Sequence, residues 1–475
     1  MMMDFYEMTM SYGYFRQTHG DVRVAFDLFF RSVPDKGGYA VFAGLEHVIE
    51  FVENLSFSDE DIDYFRAQNL FSEEFLSFLR GFRFRGDIYA VPEGTIIYPN
   101  EPLMTIVAPI IDAQLIETAI LAQINHQSLI ATKASRIVRA AEGRKVSDFG
   151  ARRAHNMDAA TYGARAAYIG GVDMTATVSA GQQFGIPISG TMAHSWVMFF
   201  EDEFTAFKKY AELYPQATVL LVDTYDVIHS GIPNAIRTAH EVLAPQGHRL
   251  AGVRIDSGDL AYLSKRIRTM LDDAGLADCK IILSNSLDEF TISSLLLQGA
   301  QVDSFGVGER LITAKSDPVF GAVYKLVAVE KDGVFLPRIK MSENVEKLTN
   351  PGIKDLYRIY DRHGKAVADM LAMRGEEIDL TKPFRYVDPR KPWKNRFFEG
   401  FSAVNLRRLY VRSGKRVEQL PTLEEIRCYV QKQLAEEIWP EEQRFENPHR
   451  HYLDMTPMYY EVKMGLLDDM RGKHS

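Results

Sequence analysis

Five short apolar runs between residues 186 and 308 each end in side chains able to do chemistry. Residues 186–195 close on Thr191, His194 and Ser195, and residues 219–226 on Asp223 and Asp226. Residues 253–259 carry Arg254, Asp256 and Asp259, residues 281–288 carry Ser284 and Asn285, and residues 304–310 carry Gly306 and Gly308. Apolar runs alternating with helical stretches predict a parallel sheet. Polar residues at the carboxyl ends of such strands are where an α/β barrel keeps its chemistry.

Each group has a bland alternative. Carboxylates at Asp256 and Asp259 suit sugar hydroxyls or water-coordinated Mg²⁺, yet Asp, Ser and Gly also start helices. Arg254 together with two carboxylates exceeds what a cap requires. Asp223 follows Leu220-Leu221-Val222 into the sheet's mouth, where an unpaired carboxylate is costly and asks for a cation or a hydroxyl. Asp226 stands at cap distance, so capping and ligand contact stay equally open. Gly306-Val307-Gly308 offers backbone N–H groups to an anion, although a lone G-x-G is weak; Gly170-Gly171 is equally a tight turn, and Lys315 and Lys325 are ordinary surface lysines by default. Phe149-Gly150-Ala151-Arg152-Arg153 joins a stacking face to arginines that grip planar anions, against the reading of a solvated basic loop. His194 beside Ser195 is a candidate general acid, base or nucleophile, though a lone histidine is more often structural. No spacing suggests zinc, a hydrolase elbow, a P-loop or a Rossmann fingerprint.

These residues need elements to hold them. At 475 residues the chain exceeds one hydrophobic core, so two or more domains are expected. Alternating helix and strand between Lys145 and Gly308 predicts the barrel. Asp223 and Asp256 stand 33 residues apart, and Asp256 and Asn285 29 apart, room for a strand, a helix and two loops. Ahead of it, residues 4–17 read as a helix, 22–30 as a half-buried alternating strand, and 39–55, 59–68 and 72–80 as helices. Residues 84–109 read as a compact β element and 112–142 as a long helix or helix pair. Behind it, 323–329, 334–341, 356–361 and 366–373 read as antiparallel strands, and 422–438 as a helix. The expected division is 1–115, 116–322 and 323–475, with the first and last parts packing together. In the tail, His449, His451 and Asp454 read as a solvated terminus more readily than as metal ligands.

A net charge of −9 and a pI near 5.8 argue against nucleic acid as main partner. The two cysteines, Cys279 and Cys428, are too few for a disulfide framework and suggest a reduced, cytoplasmic setting. The first residues lack a signal-peptide pattern. The most apolar stretch, 103–124, is broken by Pro109, Asp112 and Glu117, so no membrane span is expected.

Taken in order, the motifs resemble the nicotinate phosphoribosyltransferase family over nearly the whole length. They include Asp4-Phe5-Tyr6, Thr132-Lys133-Ala134-Ser135-Arg136, Phe149-Gly-Ala-Arg152-Arg153, Gly170-Gly-Val-Asp173, Gly190-Thr191-Met-Ala-His194-Ser195, Asp223-Thr-Tyr-Asp226, Arg254-Ile-Asp256-Ser-Gly-Asp259 and Gly306-Val-Gly308. Lys340-Met341-Ser342-Glu343 and Lys347-Leu-Thr-Asn-Pro351-Gly-Ile-Lys354 match too. The resemblance implies an irregular, incomplete α/β (TIM-like) barrel, plus an α+β domain made from both chain ends. It also implies a homodimer with shared active sites. The implied reaction condenses nicotinate with phosphoribosyl pyrophosphate to nicotinate mononucleotide and pyrophosphate in NAD salvage. It requires Mg²⁺ and is coupled to ATP as co-substrate, an ATP-dependent ligase.

By the same resemblance Phe149 and Tyr6, the latter from the second subunit, sandwich the pyridine ring, and Arg152 with Arg254 holds its carboxylate. Asp223, Asp226, Asp256 and Asp259 engage ribose and magnesium-bound pyrophosphate, with Asp256 the candidate direct Mg²⁺ contact. Gly306 to Gly308 receive the 5′-phosphate, Thr191, Ser195 and Asn285 line the substrate, and ATP phosphorylates His194. Three points depart from the pattern. Glu309-Arg310 stand where a hydroxyl residue is expected after Gly308, with Arg310 the available compensation for Glu309. Ser284-Asn285 lacks the glycine of nicotinamide-using relatives. Asp173, beside the base, suits an amide better than a carboxylate. The rival readings are a nicotinamide- or quinolinate-using phosphoribosyltransferase and a non-catalytic metabolite-binding barrel protein. An aldolase or lyase barrel would want a strand-end lysine, and none of the five runs supplies one.

Overall fold

The computed structural model describes residues 1–18, 20–340, 348–378, 384–387, 395–398 and 400–472. Most of the matching stretch 340–347 therefore lies outside the described residues. The chain forms two compact units, one of residues 1–129 with 319–475, the other of residues 130–318.

The discontinuous unit is built on two sheets to which both ends of the chain contribute. In the larger sheet the strand Arg23–Phe29 lies between Met104–Pro109 and Val323–Lys331, antiparallel to both. Asp87–Ala90 pairs with Met104–Pro109 on one side and Arg408–Arg412 on the other. Arg23–Phe29 is not the half-buried strand its alternation suggests. After Arg23 every residue is buried. Its one buried charge, Asp27, is tolerated because it accepts bonds from Thr105 Oγ1 and from the buried Lys354 Nζ. The second sheet runs 395–398, 384–387, 453–455, 366–373, 354–360, 402–405. Leu453–Met455 lies inside it, parallel to Ala366–Met373 and antiparallel to Phe384–Val387.

That insertion overturns the solvated-tail expectation for His451 and Asp454, whereas His449 is exposed. The side chain of His451 is 1% exposed; it stacks on Tyr98 at 3.8 Å and bonds Glu442 at 3.0 Å, with Asp369 3.5 Å away. Arg358 grips Asp369 with two bonds, at 2.9 and 2.7 Å, and reaches the Ile96 carbonyl. Burial pulls the His451 imidazole down, but Asp369 and Glu442 outweigh it and leave its pKa raised. Asp454 is buried too, and its Oδ2 has no partner among the described residues. The tail then ends in a helix, Pro457–Gly472, that the proline and histidine content had concealed.

The continuous unit holds an all-parallel six-stranded sheet ordered 174–175, 145–148, 304–307, 280–284, 252–255, 219–221. Read round a circle, this is simple chain order, because the last strand, Ser304–Val307, pairs with the first, Lys145–Asp148. The circle is open between Met174–Thr175, extended by a bridge from Thr175 to Ile188, and Val219–Leu221. The described strands thus form a mixed α/β unit with a parallel sheet but no closed barrel. The unit begins inside the helix Glu117–Ala140 rather than ahead of it. Lys133 and Arg136 on that helix both bond the fully buried Glu289, which opens the helix Glu289–Leu297. Removing the shared carboxylate would take a counter-charge from two buried cations at once, a loss of about 3–5 kcal/mol.

Burial raises the Asp454 carboxyl to about 8. A carboxyl raised on folding binds more protons folded than unfolded, so it lowers stability as pH climbs from about 4 towards 8, by about 1.4 kcal/mol per pH unit. Asp454→Asn should therefore unfold at a higher temperature than wild type at pH 7.5, and the gain should shrink towards pH 5. Thermal unfolding across that range checks it; a gain independent of pH would exclude the buried acid as its cause.

Candidate active site

Parallel pairing sets the level of every strand end. Ile255 stands beside Leu283, Ser284 beside Gly306, Val307 beside Asp148, and Asp148 beside Thr175. The residues that follow these positions share one rim. Alternation then chooses the face: in Gly252–Ile255, Val253 and Ile255 are fully buried, and Arg254 points to the opposite, half-open side.

At that rim Asp223 is a hub. Its Oδ2 accepts from the Asp256 amide at 2.9 Å and from Ser257 Oγ at 2.6 Å, while its buried Oδ1 has no partner among the described residues. Asp256 accepts Ser284 Oγ at 2.6 Å on one oxygen and places the other 4.0 Å from His194 Nε2. His194 opens the helix His194–Phe199, and its Nδ1 lies 3.2 Å from Thr224 Oγ1. Asp256 faces one ring nitrogen and a hydroxyl the other, so the imidazole is oriented from both sides.

Arg254 donates to Thr191 Oγ1 at 2.7 Å and its guanidinium carbon lies 5.5 Å from the centre of the Phe149 ring. Burial lowers its pKa, Asp256 and Asp223 pull it back up, and Arg152 pushes it down again. Arg254 Nε is buried with no partner among the described residues. A Cβ on Gly306 would sit 2.4 Å from Phe149, so only glycine there lets the ring lie flat against the strand. Gly308 borders the Phe149 carbonyl in the same way, at 3.3 Å.

The structure thus joins Phe149, Arg152, Thr191, His194, Asp223, Arg254, Asp256, Gly306 and Gly308 in one contiguous group. Other candidates have different work. Asp226 caps the turn at Val227–Gly231 through the Ile228 and His229 amides and bonds the His229 ring at 3.1 Å, so its cap reading is the one realised. Asp259 caps Leu260–Asp273 through the Tyr262 amide. Asp173 stands ahead of its short strand, where its carboxylate accepts from the Val146 amide at 2.9 Å, near the strands' beginnings rather than their ends. Asn285 is exposed, with φ 95°, on the loop after Ser284. Ser195 is exposed on the first turn after His194. Tyr6 lies in the other unit, on Phe5–Thr18, where burial and a bond to Glu117 raise its pKa.

The worry over Glu309 dissolves. Its carboxylate pairs with Lys315 at 2.5 Å and lies 3.9 Å from Arg153, which keeps its pKa low. Arg310 is not the compensating charge; it is taken by Asp288. Sequence reasoning missed Asp148, which is buried at its strand end and accepts from Thr175 Oγ1 and the Gly150 amide, both at 2.8 Å. Burial raises its pKa. It pins the turn that carries Phe149 and Arg152. The signal was weak, since Asp148 follows Ser147 rather than an apolar run and only its place at the end of Lys145–Asp148 marks it. Ser284, Ser257 and Thr224 were within the runs but unassigned.

Among the described residues no three or more His, Cys, Asp or Glu side chains are grouped as a metal cage. Two neighbouring carboxylates, one with a free oxygen, suit a divalent cation that draws its other ligands from phosphate and water.

Against known proteins, residues 1–125 match the nicotinate phosphoribosyltransferase (NAPRTase) N-terminal domain, 144–347 the NAPRTase family and 353–463 its C-terminal domain. The chain is 45% identical to the nicotinate phosphoribosyltransferase of Bacillus subtilis, covering 99% of this chain and 95% of that one. It is 34% identical to the Caenorhabditis elegans enzyme of that name, over 97% and 92%. The crystal structure of human nicotinic acid phosphoribosyltransferase superposes with a TM-score of 0.86 at 28% identity, covering 98% of this chain and all of that one. The Asp223–Asp256 rim, with arginine laid over Phe149, therefore sits in a chain that belongs to the nicotinate phosphoribosyltransferase family.

Proposed function

We propose that this protein is a nicotinate phosphoribosyltransferase that joins nicotinate to phosphoribosyl pyrophosphate. The observation that carries this reading is Arg254, a half-buried guanidinium spread over the Phe149 ring beside two carboxylates. A flat ring bearing a carboxylate fits against an aromatic face and a forked cation. Neutral nicotinamide offers that fork no pair of anionic oxygens, which favours the acid over the amide. Identity to enzymes named for nicotinate supports the same choice.

In this reading the pyridine nitrogen attacks the ribosyl C1′, and the C1′–O bond breaks with its electron pair leaving on pyrophosphate. Positive charge grows on the sugar, as in glycoside cleavage, and Asp223 and Asp256 stabilise it. Asp223 orders Asp256 through its amide, and Ser284 holds the Asp256 side chain in place. When bound, Mg²⁺ would neutralise the leaving pyrophosphate; Asp256 and Asp223 are the residues that would hold it. Backbone at Gly306–Gly308 would receive the 5′-phosphate. The ring of strands with one open seam is read as an irregular, incomplete barrel.

ATP would phosphorylate His194: the imidazole nitrogen attacks the terminal phosphorus and ADP departs. A proton on the Nε2 that faces Asp256 leaves Nδ1 as the nucleophile. The added charge at the pyrophosphate side favours product release, making the reaction an ATP-coupled ligation to nicotinate mononucleotide. Tyr6 of a second copy would cover the other face of the pyridine, which makes the working form a homodimer. A cytoplasmic setting agrees with two free cysteines, Cys279 buried and Cys428 exposed. No helix among the described residues is long and apolar enough to cross a membrane.

Incubation with Mg²⁺, phosphoribosyl pyrophosphate and labelled nicotinate, nicotinamide or quinolinate, with and without ATP, should yield a mononucleotide from nicotinate alone and more of it with ATP. A product from nicotinamide or quinolinate instead would replace the base assignment. His194→Ala should retain ATP-independent synthesis and lose the stimulation; stimulation equal to wild type refutes the phosphohistidine. Gly306→Ala forces the Phe149 ring aside, so the KM for nicotinate should rise on the order of tenfold with a smaller change for phosphoribosyl pyrophosphate. Steady-state kinetics on both substrates would show an unchanged nicotinate KM if Phe149 is not the ring platform.

A further inference from the structure

The discontinuous unit has a cavity of its own, of about 330 Å³, formed wholly by that unit. It opens where the Lys354–Tyr360 and Ala366–Met373 strands of one sheet approach the Asp87–Ala90 and Arg408–Arg412 strands of the other. The Leu406 amide bonds the Leu356 carbonyl at 2.8 Å and ties the two together. The catalytic reading above uses none of its side chains.

Its walls are cationic. Arg374 lies flat on Tyr89, with its guanidinium carbon 3.8 Å from the ring centre. Tyr89 in turn packs against the buried Ala25, Val107, Val327 and Ala328, so the platform is rigid. Stacking uses the face of a guanidinium and leaves its in-plane N–H groups available. Among the described residues no carboxylate pairs with Arg374. Arg407 is clamped by the Pro102 and Tyr89 carbonyls at 3.1 and 3.3 Å, and its buried Nε has no partner among the described residues. Burial lowers the Arg407 pKa and Arg374 lowers it further, while Asp27 and Asp355 raise it. The two guanidinium groups therefore repel one another across the cavity.

At Arg407 the acids Asp27 and Asp355 each outweigh Arg374, so the cation of the cavity left without a counter-charge is Arg374. Asp27 is committed to Lys354, which also donates to the Gly352 carbonyl at 2.8 Å. Asp355 already accepts the Gly375 amide, at 3.3 Å. That leaves Arg374, Arg407 and Lys354 against Asp27 and Asp355, a surplus of one positive charge. Holding like charges together is unfavourable unless a counter-charge joins them. The open in-plane edge of Arg374 matches the oxygens of a phosphate, and the clamped Arg407 adds positive charge beside it. A volume of about 330 Å³ is larger than inorganic phosphate needs and lies in the range of small-metabolite pockets.

We infer that this cavity is a second ligand site, which takes a phosphorylated small molecule through Arg374 and Arg407. It is independent of the reaction assigned to the other unit. Two probes test it: inorganic phosphate and adenosine monophosphate, titrated calorimetrically into the full-length protein. The background is Asp256→Ala; the Gly306–Gly308 backbone can still take phosphate there, so only the binding that Arg374→Ala removes is read at the cavity. At least one probe should bind, and adding Arg374→Ala should weaken that binding at least tenfold, with Arg374→Lys recovering part of it. Arg374 is exposed, so the variant should fold; an unchanged unfolding temperature verifies this. Arg407→Gln serves as second variant, expected to act in the same direction. If neither probe binds in the Asp256→Ala background, or binding ignores Arg374→Ala, the inference is overturned. Neither result touches the nicotinate assay, whose failure would likewise leave this site standing.

Discussion

Parallel pairing at a fixed level is the constraint on which the rest depends. Because Leu221 lies beside Arg254 and Leu283 beside Ile255, the residues following these strands emerge together. Asp223 can then reach the next strand's Asp256 amide, and Asp256 can reach Ser284. A slip of one residue would reverse every side chain, sending Arg254 into the packed face and Val253 towards the ligand. The helices packed on the sheet hold that level, and the buried Lys133–Glu289–Arg136 cluster fastens one of them.

The rim also shows how like charges are made useful. Asp223 and Asp256 would repel if left alone. Hydrogen bonds from Ser257, Ser284 and a backbone amide spread their charge, and Arg254 adds an opposite one. Among the described residues one oxygen of Asp223 has no partner, which is the condition of a group waiting for one. Glu309 is treated in the opposite way, turned towards Lys315 and Arg153 and so kept from spoiling the anion side of the loop.

Legibility in the sequence followed the range of the forces involved. Strand ends were readable because an apolar run followed by a carboxylate is a local pattern, as at Asp223 and Asp256. Asp173 carries the same local pattern, yet it precedes its strand rather than following it, and sequence alone does not fix where a two-residue strand begins. Capping was foreseen as open for Asp226 and is what the structure uses. The burial of Asp27 was not readable, since its neutralising partner lies 327 positions away. His451 and Asp454 looked like tail residues for the same reason: the histidine sits against Tyr98 and Asp369, and nothing near it in sequence announces them. The Arg374–Arg407 cavity was equally hidden, being assembled from four strands.

The two units make unequal demands on a growing chain. Residues 130–318 are continuous, so every strand of their sheet is on hand once that stretch has left the ribosome. The surrounding unit must wait: the Ser413 amide meets the Asp87 side chain across 326 positions, and Leu453–Met455 arrives later still to enter the middle of a sheet. Until then the early strands present unsatisfied edges, a hazard for association with other nascent chains. The order of synthesis therefore leaves the parallel-sheet unit with all its strands first and makes the last strand to emerge the one that seals its companion.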